Sequence, residues 1–450
     1  MMKGRMLVRM ACAVVVGVAL LSQMTPAAAS LSAGVARVSI TPSLAEFPTI
    51  SLAGFGERLG KPAEGVRDEI FSRALVLSDG DTKVAFVSTD LSGISPGMKD
   101  AVVAKVADLG FTADNVMLAA THSHSAPECL HPGGDAWPLG FGNFHPKFFD
   151  WTTERIAESI RMADKQDMVA GIGFASAALD GFNRNRRATG GGLVDPTMTV
   201  MKVTFAGGGP GGGATLAIVV NFTAHPTMMG ADSFLISGEW PGAMSRELER
   251  RLPRRELALF FNGAEGDQTT AGDFGSGWER VDAYGKALAE QAWDLAEQAD
   301  WSTEADIRIS SMMWDLPKRR LSPAFMASTG QEYQLTEVDP EVLEGIMAQL
   351  FPDKVRLQAV RIGDAVLMAV PGEAITELGL QMKRDAASLG AKYPMIIGLA
   401  NSAIGYILSF EQYDLGAYES GTSFYGPMLG PILVSQMKQT VRPLLPPGEE

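Results

Sequence analysis

The chain has 450 residues, 46% of them hydrophobic, and sets 38 Lys+Arg against 52 Asp+Glu for a formal net charge of −14. An acidic balance of this size argues against a nucleic-acid ligand and against electrostatic docking on anionic membranes. The apolar fraction is enough for a large core, and with no repeat, heptad or long linker the expected organisation is a single domain over residues 30–450.

The amino terminus comes first. Lys3, Arg5 and Arg9 precede an apolar run from Met10 to Leu21, and Pro26-Ala-Ala-Ala29 offers a small-residue cleavage site. That is the pattern of a secretory signal peptide over 1–29, and its apolar run is too short to span a bilayer. The expected location is therefore secreted or periplasmic, with no stable membrane span in the mature chain. Cys12 falls in the leader and leaves Cys129 alone, so no internal disulfide is expected.

Strands are predicted at 35–40, 73–77, 84–88, 116–120, 198–205, 216–222, 257–261, 356–362, 365–370 and 395–400. Many are continuous apolar runs, as strands covered on both faces tend to be. Helical periodicity appears at 151–165, 241–251, 281–299, 341–350, 374–389 and 430–444, with Pro241 suited to a first turn. Gly363-Asp364 between two apolar runs reads as a tight hairpin. Gly207-Gly-Gly-Pro-Gly-Gly-Gly213 lacks the Lys-Ser/Thr of a phosphate loop and opens no helix, so it reads as a loop between strands. The fold class is α/β, with mixed sheets packed centrally, helices flanking them and the chemistry at strand ends.

The polar residues collect downstream of these strands. Segment 116–120 runs into Thr121-His122-Ser123-His124, and 216–222 runs into His225-Pro226, although the chain holds only five histidines. A strand end followed by His-x-His presents imidazoles to a metal from a rigid support. Segment 257–261 leads into a glycine-rich turn able to hold Asp267 and Thr269 near backbone N–H groups. Segment 365–370 leads through Pro371-Gly372 to Glu373, and 395–400 leads through Asn401 to Gly405 and Tyr406. Two imidazoles, a carboxylate and another oxygen would leave one coordination position open, as in a catalytic zinc site. Spacing alone does not select Glu373 and Tyr406 from the other acids and the seven tyrosines.

That selection comes from a resemblance. Thr121-His-Ser-His-Ser-Ala-Pro127, Ala224-His-Pro-Thr227, Asn262-Gly-Ala-Glu-Gly-Asp267, Val370-Pro-Gly-Glu373, Gly398-Leu-Ala-Asn401 and Gly405-Tyr-Ile407 stand in the order and rough spacing of the neutral/alkaline non-lysosomal ceramidase family. The resemblance covers nearly all the mature chain, from Gly34 to about Pro427. It implies one zinc held by His122, His225, Glu373 and Tyr406, although either histidine of the His-x-His pair has the reach. His124 then faces the substrate. Asn183-Arg184 resembles a family pair whose arginine approaches the substrate, and the segment from Glu411 to Pro427 resembles the family's stretch beyond the tyrosine. The implied activity is hydrolysis of the amide of N-acylsphingosine, a small lipid-like substrate.

Departures bear on the substrate. The family's Gly-Asp-x-Ser-Pro-Asn reads Gly266-Asp-Gln-Thr-Thr-Ala271, with Thr269 in place of the serine, and Ser-Gly-Pro reads Ser125-Ala-Pro127. The resemblance extends to the catalytic domain alone, without the β-sandwich of long members. His124, Arg184, Asp267 and Thr269 are the catalytic candidates, His124 or a carboxylate such as Asp267 or Glu239 serving the leaving amine. Met228, Met229, Trp240, Phe261, Ile404 and Phe424 are candidates to line an apolar groove. The alternatives are a zinc hydrolase of another acyl amide or ester, and a lipid-binding homologue without turnover. A two-metal phosphoesterase would want several aspartates, for which Asp90 and Asp267 alone are inviting.

Overall fold

Apolar runs became strands almost wherever they were long and unbroken. The computed structural model describes residues 31–129, 144–187, 192–206, 213–253 and 256–445. The expected leader, most of the glycine-rich loop and the last five residues lie outside these segments.

In chain order the main strands are β1 (Ser32–Ser39), β2 (Phe71–Ser78), β3 (Lys83–Thr89), β4 (Val116–Ala120), β5 (Met168–Ala178), β6 (Thr197–Phe205), β7 (Thr215–Phe222), β8 (Leu257–Asn262), β9 (Trp301–Ser302), β10 (Ile307–Asp315), β11 (Lys354–Ile362), β12 (Ala365–Ala369) and β13 (Tyr393–Ile397). The large mixed sheet runs β8-β7-β6-β5-β1-β2-β3-β4, with β9 on β5, and a second sheet runs β10-β11-β12-β13. The longer helices are α1 (Pro96–Val106), α2 (Pro146–Asp164), α3 (Glu239–Arg251), α4 (Gly277–Gln298), α5 (Pro340–Leu350), α6 (Thr376–Ser388) and α7 (Leu429–Val441). No helix among the described residues is long and apolar enough to cross a membrane.

Within the large sheet, β1 and β5 pair over two residues only, so it works as two groups of strands. Both groups and the second sheet turn apolar faces onto one interior, where Phe86 and Met117 share a cluster with Leu259, Phe261, Leu367 and Ile397. A helical layer stands behind each group: α1 and α2 behind β1–β4, α3 and α4 behind β7 and β8, and α6 and α7 behind the second sheet. This is the expected α/β arrangement, and the expected hairpin forms at Gly363 and Asp364, joining β11 to β12.

Four of these elements were missed: β5, β9, β10 and α1. In β5 the run from Gly171 to Ala178 is small and glycine-rich, and a Cβ at Gly173 would stand 2.4 Å from the Asp300 carbonyl, so the sequence there records the close approach of β9. β10 carries polar residues on much of its length, and α1 buries Met98, Val102 and Val106 together with Lys99, a cation that blurs its apolar face; its start rests on Ser95, whose side chain accepts from the Met98 N–H, and on Pro96 in the first turn. The strand expected over 395–400 stops at Ile397, because Leu399 and Asn401 take left-handed φ values of 49° and 65°.

Each strand group contains a parallel pair: β3 with β4, β7 with β8, and β12 with β13. Parallel partners end on the same side, so the chain leaving each pair is delivered as two neighbouring loops. The groups are tied at that end. The Gly398 N–H donates to the Asn262 carbonyl at 2.9 Å, and the Asn401 N–H donates to the Leu118 carbonyl at 2.7 Å. Ser88 Oγ donates to the Phe260 carbonyl at 2.6 Å. Six strand ends therefore open onto one place.

Candidate metal centre

Each parallel pair contributes to this place. Beyond β4, His122 takes the left-handed conformation (φ 72°), a strain of about 1–3 kcal/mol that aims its ring inward, and Nδ1 contacts the Ser92 carbonyl, beyond β3, at 2.6 Å. Beyond β7, His225 Nδ1 lies 2.7 Å from the Glu265 carbonyl and 3.1 Å from that of Gln268, both on the turn after β8. Beyond β12 and β13, the Glu373–Ala374 segment pairs in parallel with Tyr406–Ile407, which sets Glu373 beside Tyr406.

These anchors fix the tautomers. Facing only carbonyl oxygens, each Nδ1 carries the hydrogen, so each neutral ring turns an Nε2 lone pair inward. His225 Nε2 stands 3.1 Å from Glu373 Oε2 and 3.1 Å from the Tyr406 hydroxyl. His122 Nε2 stands 3.4 Å from the same carboxylate oxygen and 3.2 Å from His124 Nε2. Acceptors crowded onto one another call for a cation at their focus. Separations of 3.1–3.4 Å are also close to the edges of a tetrahedron whose metal bonds are about 2.0–2.1 Å, roughly 3.3–3.4 Å. The residues fit a divalent metal.

The electrostatics follow from burial and mutual contact. Desolvation opposes ionisation of Glu373, yet His122 and His225 hold its carboxyl well below the usual range. Burial alone would lower His122, but Glu373 holds it above its ordinary value. Burial and Arg186 bring His225 down to about 4, and burial with the two neighbouring imidazoles brings His124 well below its ordinary value. Burial raises the Tyr406 phenol well above its usual range, against the pull of Arg186.

The expected ligands His122, His225, Glu373 and Tyr406 thus come together, with His124 beside them. Ligand nitrogens of the three histidines lie within 4.8 Å of one another. His122 differs from its neighbour in one respect: its Nδ1 is anchored, whereas His124 Nδ1 has no hydrogen-bond partner among the described residues. His124 is held by shape instead, its ring 4.7 Å from Phe55 and so close to Gly54 that a Cβ there would stand 2.4 Å from Nδ1.

The remaining candidates sit elsewhere. Arg184 is exposed on a short strand, opposite Thr269. The arginine at the centre is Arg186, which donates to the Tyr406 hydroxyl at 2.8 Å and the Gly266 carbonyl at 3.0 Å and is held by Glu419. Asp267 is committed to the scaffold: Oδ1 accepts from the Thr376 N–H and hydroxyl at 2.8 and 2.6 Å, and Oδ2 accepts from Asn185 at 2.7 Å. Thr269 contributes its backbone, in a bridge to His225. Glu239 accepts from the Met228, Met229 and Trp240 N–H groups, and Asp90 is paired with buried Arg73. None of these acids is free to serve a leaving group.

Two residues were overlooked. Arg186 stands two positions beyond Arg184 in the run Arg184-Asn-Arg-Arg187, and four cationic or amide side chains in a row gave no phase. Glu265 follows a strand end as the histidines do, which is the signal that would have found it; its ligand atom lies within 4.8 Å of those of His122 and Glu373.

The centre opens on a cavity of about 140 Å³ whose apolar wall includes Leu52, Phe351, Leu399, Ala403 and Phe424. A wider cleft of about 870 Å³ shares His124, Tyr406 and Tyr418 with it and adds Arg186, Glu57 and Glu332. Of the residues expected to line an apolar groove, Phe424 does so. Trp240, Phe261 and Ile404 are core, and Met228 and Met229 pack against the cluster behind β7 and β8.

Fold and donors together define an α/β protein with a buried His/Glu centre suited to a metal, at the converging ends of parallel strands. The chain belongs to the neutral/alkaline non-lysosomal ceramidase family: the profile of that family's N-terminal region matches residues 31–274 and 282–434. Similar proteins include the neutral ceramidase of Pseudomonas aeruginosa, 24% identical over 478 residues spanning 88% of this chain and 69% of the relative. The neutral ceramidase of Mycobacterium tuberculosis is 23% identical over 462 residues, spanning 83% and 71%. The crystal structure of the Pseudomonas aeruginosa neutral ceramidase shares the fold, with a TM-score of 0.78 over 92% of this chain and 74% of that one at 22% identity.

Proposed function

We propose that this chain is an exported zinc-dependent amidohydrolase that cleaves the amide of N-acylsphingosine to a fatty acid and a sphingoid base. The observation that carries the reading is the convergence of His122, His225, Glu373 and Tyr406 beside a cavity with an apolar wall. Family membership supports the reaction, and the pattern of residues 1–29 supports export.

When bound there, zinc would supply Lewis acidity, polarising a carbonyl and bringing the pKa of water nearer to about 7. The chain's own residues do the rest. His122 and His225, oriented by the Ser92, Glu265 and Gln268 carbonyls, hold the metal with Glu373 and Tyr406. Arg186 keeps a cation against the Tyr406 oxygen and favours negative charge on that side. His124 reaches both the cavity and the cleft, and burial keeps it neutral, so Nε2 is placed to take the proton released by the attacking water and to hand it on to the departing amine.

The test is release of fatty acid from a short-chain fluorescent N-acylsphingosine, suppressed by a chelator and restored by zinc. Hydrolysis of small acyl amides or esters with none of the sphingolipid, at any chain length or in any detergent, would retain the metal chemistry and discard the substrate. The small volume of the apolar cavity is the observation that favours this second reading. Tight lipid binding without turnover of any acyl compound would leave a binding protein.

A further inference from the structure

Glu265 is the buried group for which the four expected ligands give no account. Its side chain is 0% exposed, and neither carboxylate oxygen has a hydrogen-bond partner among the described residues. An ionised carboxylate sealed in this way is strongly destabilising unless a cation compensates it. Its position suggests which one, since its ligand atom lies within 4.8 Å of those of His122 and Glu373.

The surroundings hold it there. The Glu265 carbonyl orients His225, and the Gln268 N–H donates to that carbonyl at 2.8 Å, so the backbone is fixed against the centre. On the far side stands Gly398, where a Cβ would lie 2.6 Å from Glu265 Oε2. The glycine leaves the carboxylate room in which no donor has been provided. Glu265, Gly398 and His122 descend from three different parallel pairs, so the carboxylate lies where all three strand groups meet.

We propose that Glu265 is a further carboxylate donor to the same metal, so that this centre grips its cation with two carboxylates as well as two imidazoles and a phenol. The proposal rests on the metal reading above. Two carboxylates balance the charge of a dication, and a larger share of oxygen donors favours higher coordination numbers and harder ions such as Mn²⁺ relative to a site with one carboxylate. The competing fate for Glu265 is that of a permanently neutral acid, since burial pushes its carboxyl up to about 8. Glu265→Gln copies the shape and neutrality of that acid and therefore separates the two.

The experiment loads wild type and Glu265→Gln, each as the full chain, with Co²⁺. Affinity is read by competition with a chromophoric chelator and coordination number from the d–d absorption. We expect wild type to bind Co²⁺ with the weak absorption of a five- or six-coordinate ion. Glu265→Gln should bind it at least about tenfold more weakly and with stronger absorption, as a donor is lost. Equal affinity and identical spectra in the two folded proteins would overturn the proposal and leave the metal reading standing. A wild type that takes up neither Co²⁺ nor Zn²⁺ would remove both. Should Glu265→Gln not fold, Glu265→Asp decides: retracting the carboxylate by one methylene should also weaken binding and alter the spectrum, and no change in either would overturn the proposal.

Discussion

The two sides of the cavity are built differently. On the large-sheet side, His122, His124 and His225 are 6%, 8% and 0% exposed, and the rings of His122 and His225 are locked by carbonyls of neighbouring loops. On the opposite side, Glu373 and Tyr406 lie on two paired strands of two residues each, and the wall beyond them comes from the connection between β10 and β11, through Thr329, Tyr333 and Phe351. That connection carries exposed apolar residues, Met326 at 44% and Val342 at 56%. The strand ends fix the chemistry, and the irregular segment beyond Glu373 and Tyr406 shapes the cavity and tolerates change. Substitutions at the donors and in the irregular wall should therefore fail in different ways.

The largest effect belongs to the donors. His225→Ala and Glu373→Ala should each lose most of the bound zinc and lower turnover by about 10³-fold or more, the equivalent of several kcal/mol of lost Lewis-acid stabilisation. Metal analysis beside kinetics checks this, and full zinc in either variant would overturn its ligand assignment. Next comes Arg186→Ala, which should keep zinc while turnover falls about 10²–10³-fold, as when one donor to developing charge is removed. Arg184→Ala is the control, and its activity should stay within about twofold of wild type. The reverse order would return the role to Arg184.

A smaller effect is expected from the irregular side. Phe351 packs against Phe424, with ring centroids 4.1 Å apart and planes tilted by 32°, and faces the cavity. Phe351→Ala should raise KM about tenfold for a medium-chain acyl substrate, with kcat little altered, since a lost apolar contact weakens ground state and transition state alike. A fall in kcat at constant KM would show that this wall takes part in the chemistry, and the contrast between the two sides would collapse.

The same contrast explains what the sequence disclosed. His122, His124 and His225 were legible because each follows a long apolar strand, and a polar residue placed there stands out. Glu373 and Tyr406 were not legible from periodicity, because two residues of strand have no period; only the ordered family motifs reached them. Arg184 was chosen because Asn183-Arg184 resembles the family's Asn-Arg pair, and the strand holding it, Asn183–Asn185, is only three residues long, so alternation offered no check on which arginine turns inward. Asp267 was an acid–base candidate by its order in the chain, in the turn that follows β8, yet its oxygens brace the start of α6 and the Asn183–Asn185 strand. A motif shows that a carboxylate matters, and only its hydrogen bonds show for what.

The smallest expected effect tests the seam between the two sides. Lys99, on the unforeseen helix α1, is buried, and its Nζ donates to the Val116 carbonyl at 2.5 Å and to Asn401 Oδ1 at 2.6 Å. Asn401 in turn accepts from the Leu118 N–H and donates to Gln358, so one cation ties β4 to the second sheet. Burial drives the ammonium from its ordinary 10.5 to about 7, with Arg356 reinforcing the shift and Asp114 and Asp100 opposing it. A folded-state value below the unfolded one means that the unfolded chain holds the proton over the window between about 7 and 10.5. Stability should therefore rise with pH across that window. Measured as urea unfolding against Lys99→Met, which cannot titrate, wild type should gain on the order of 1–3 kcal/mol between pH 7 and 10, allowing for partial compensation by the two carbonyl contacts. A flat difference would mean that those acceptors keep the ammonium charged throughout, and that the seam is held by a permanent cation.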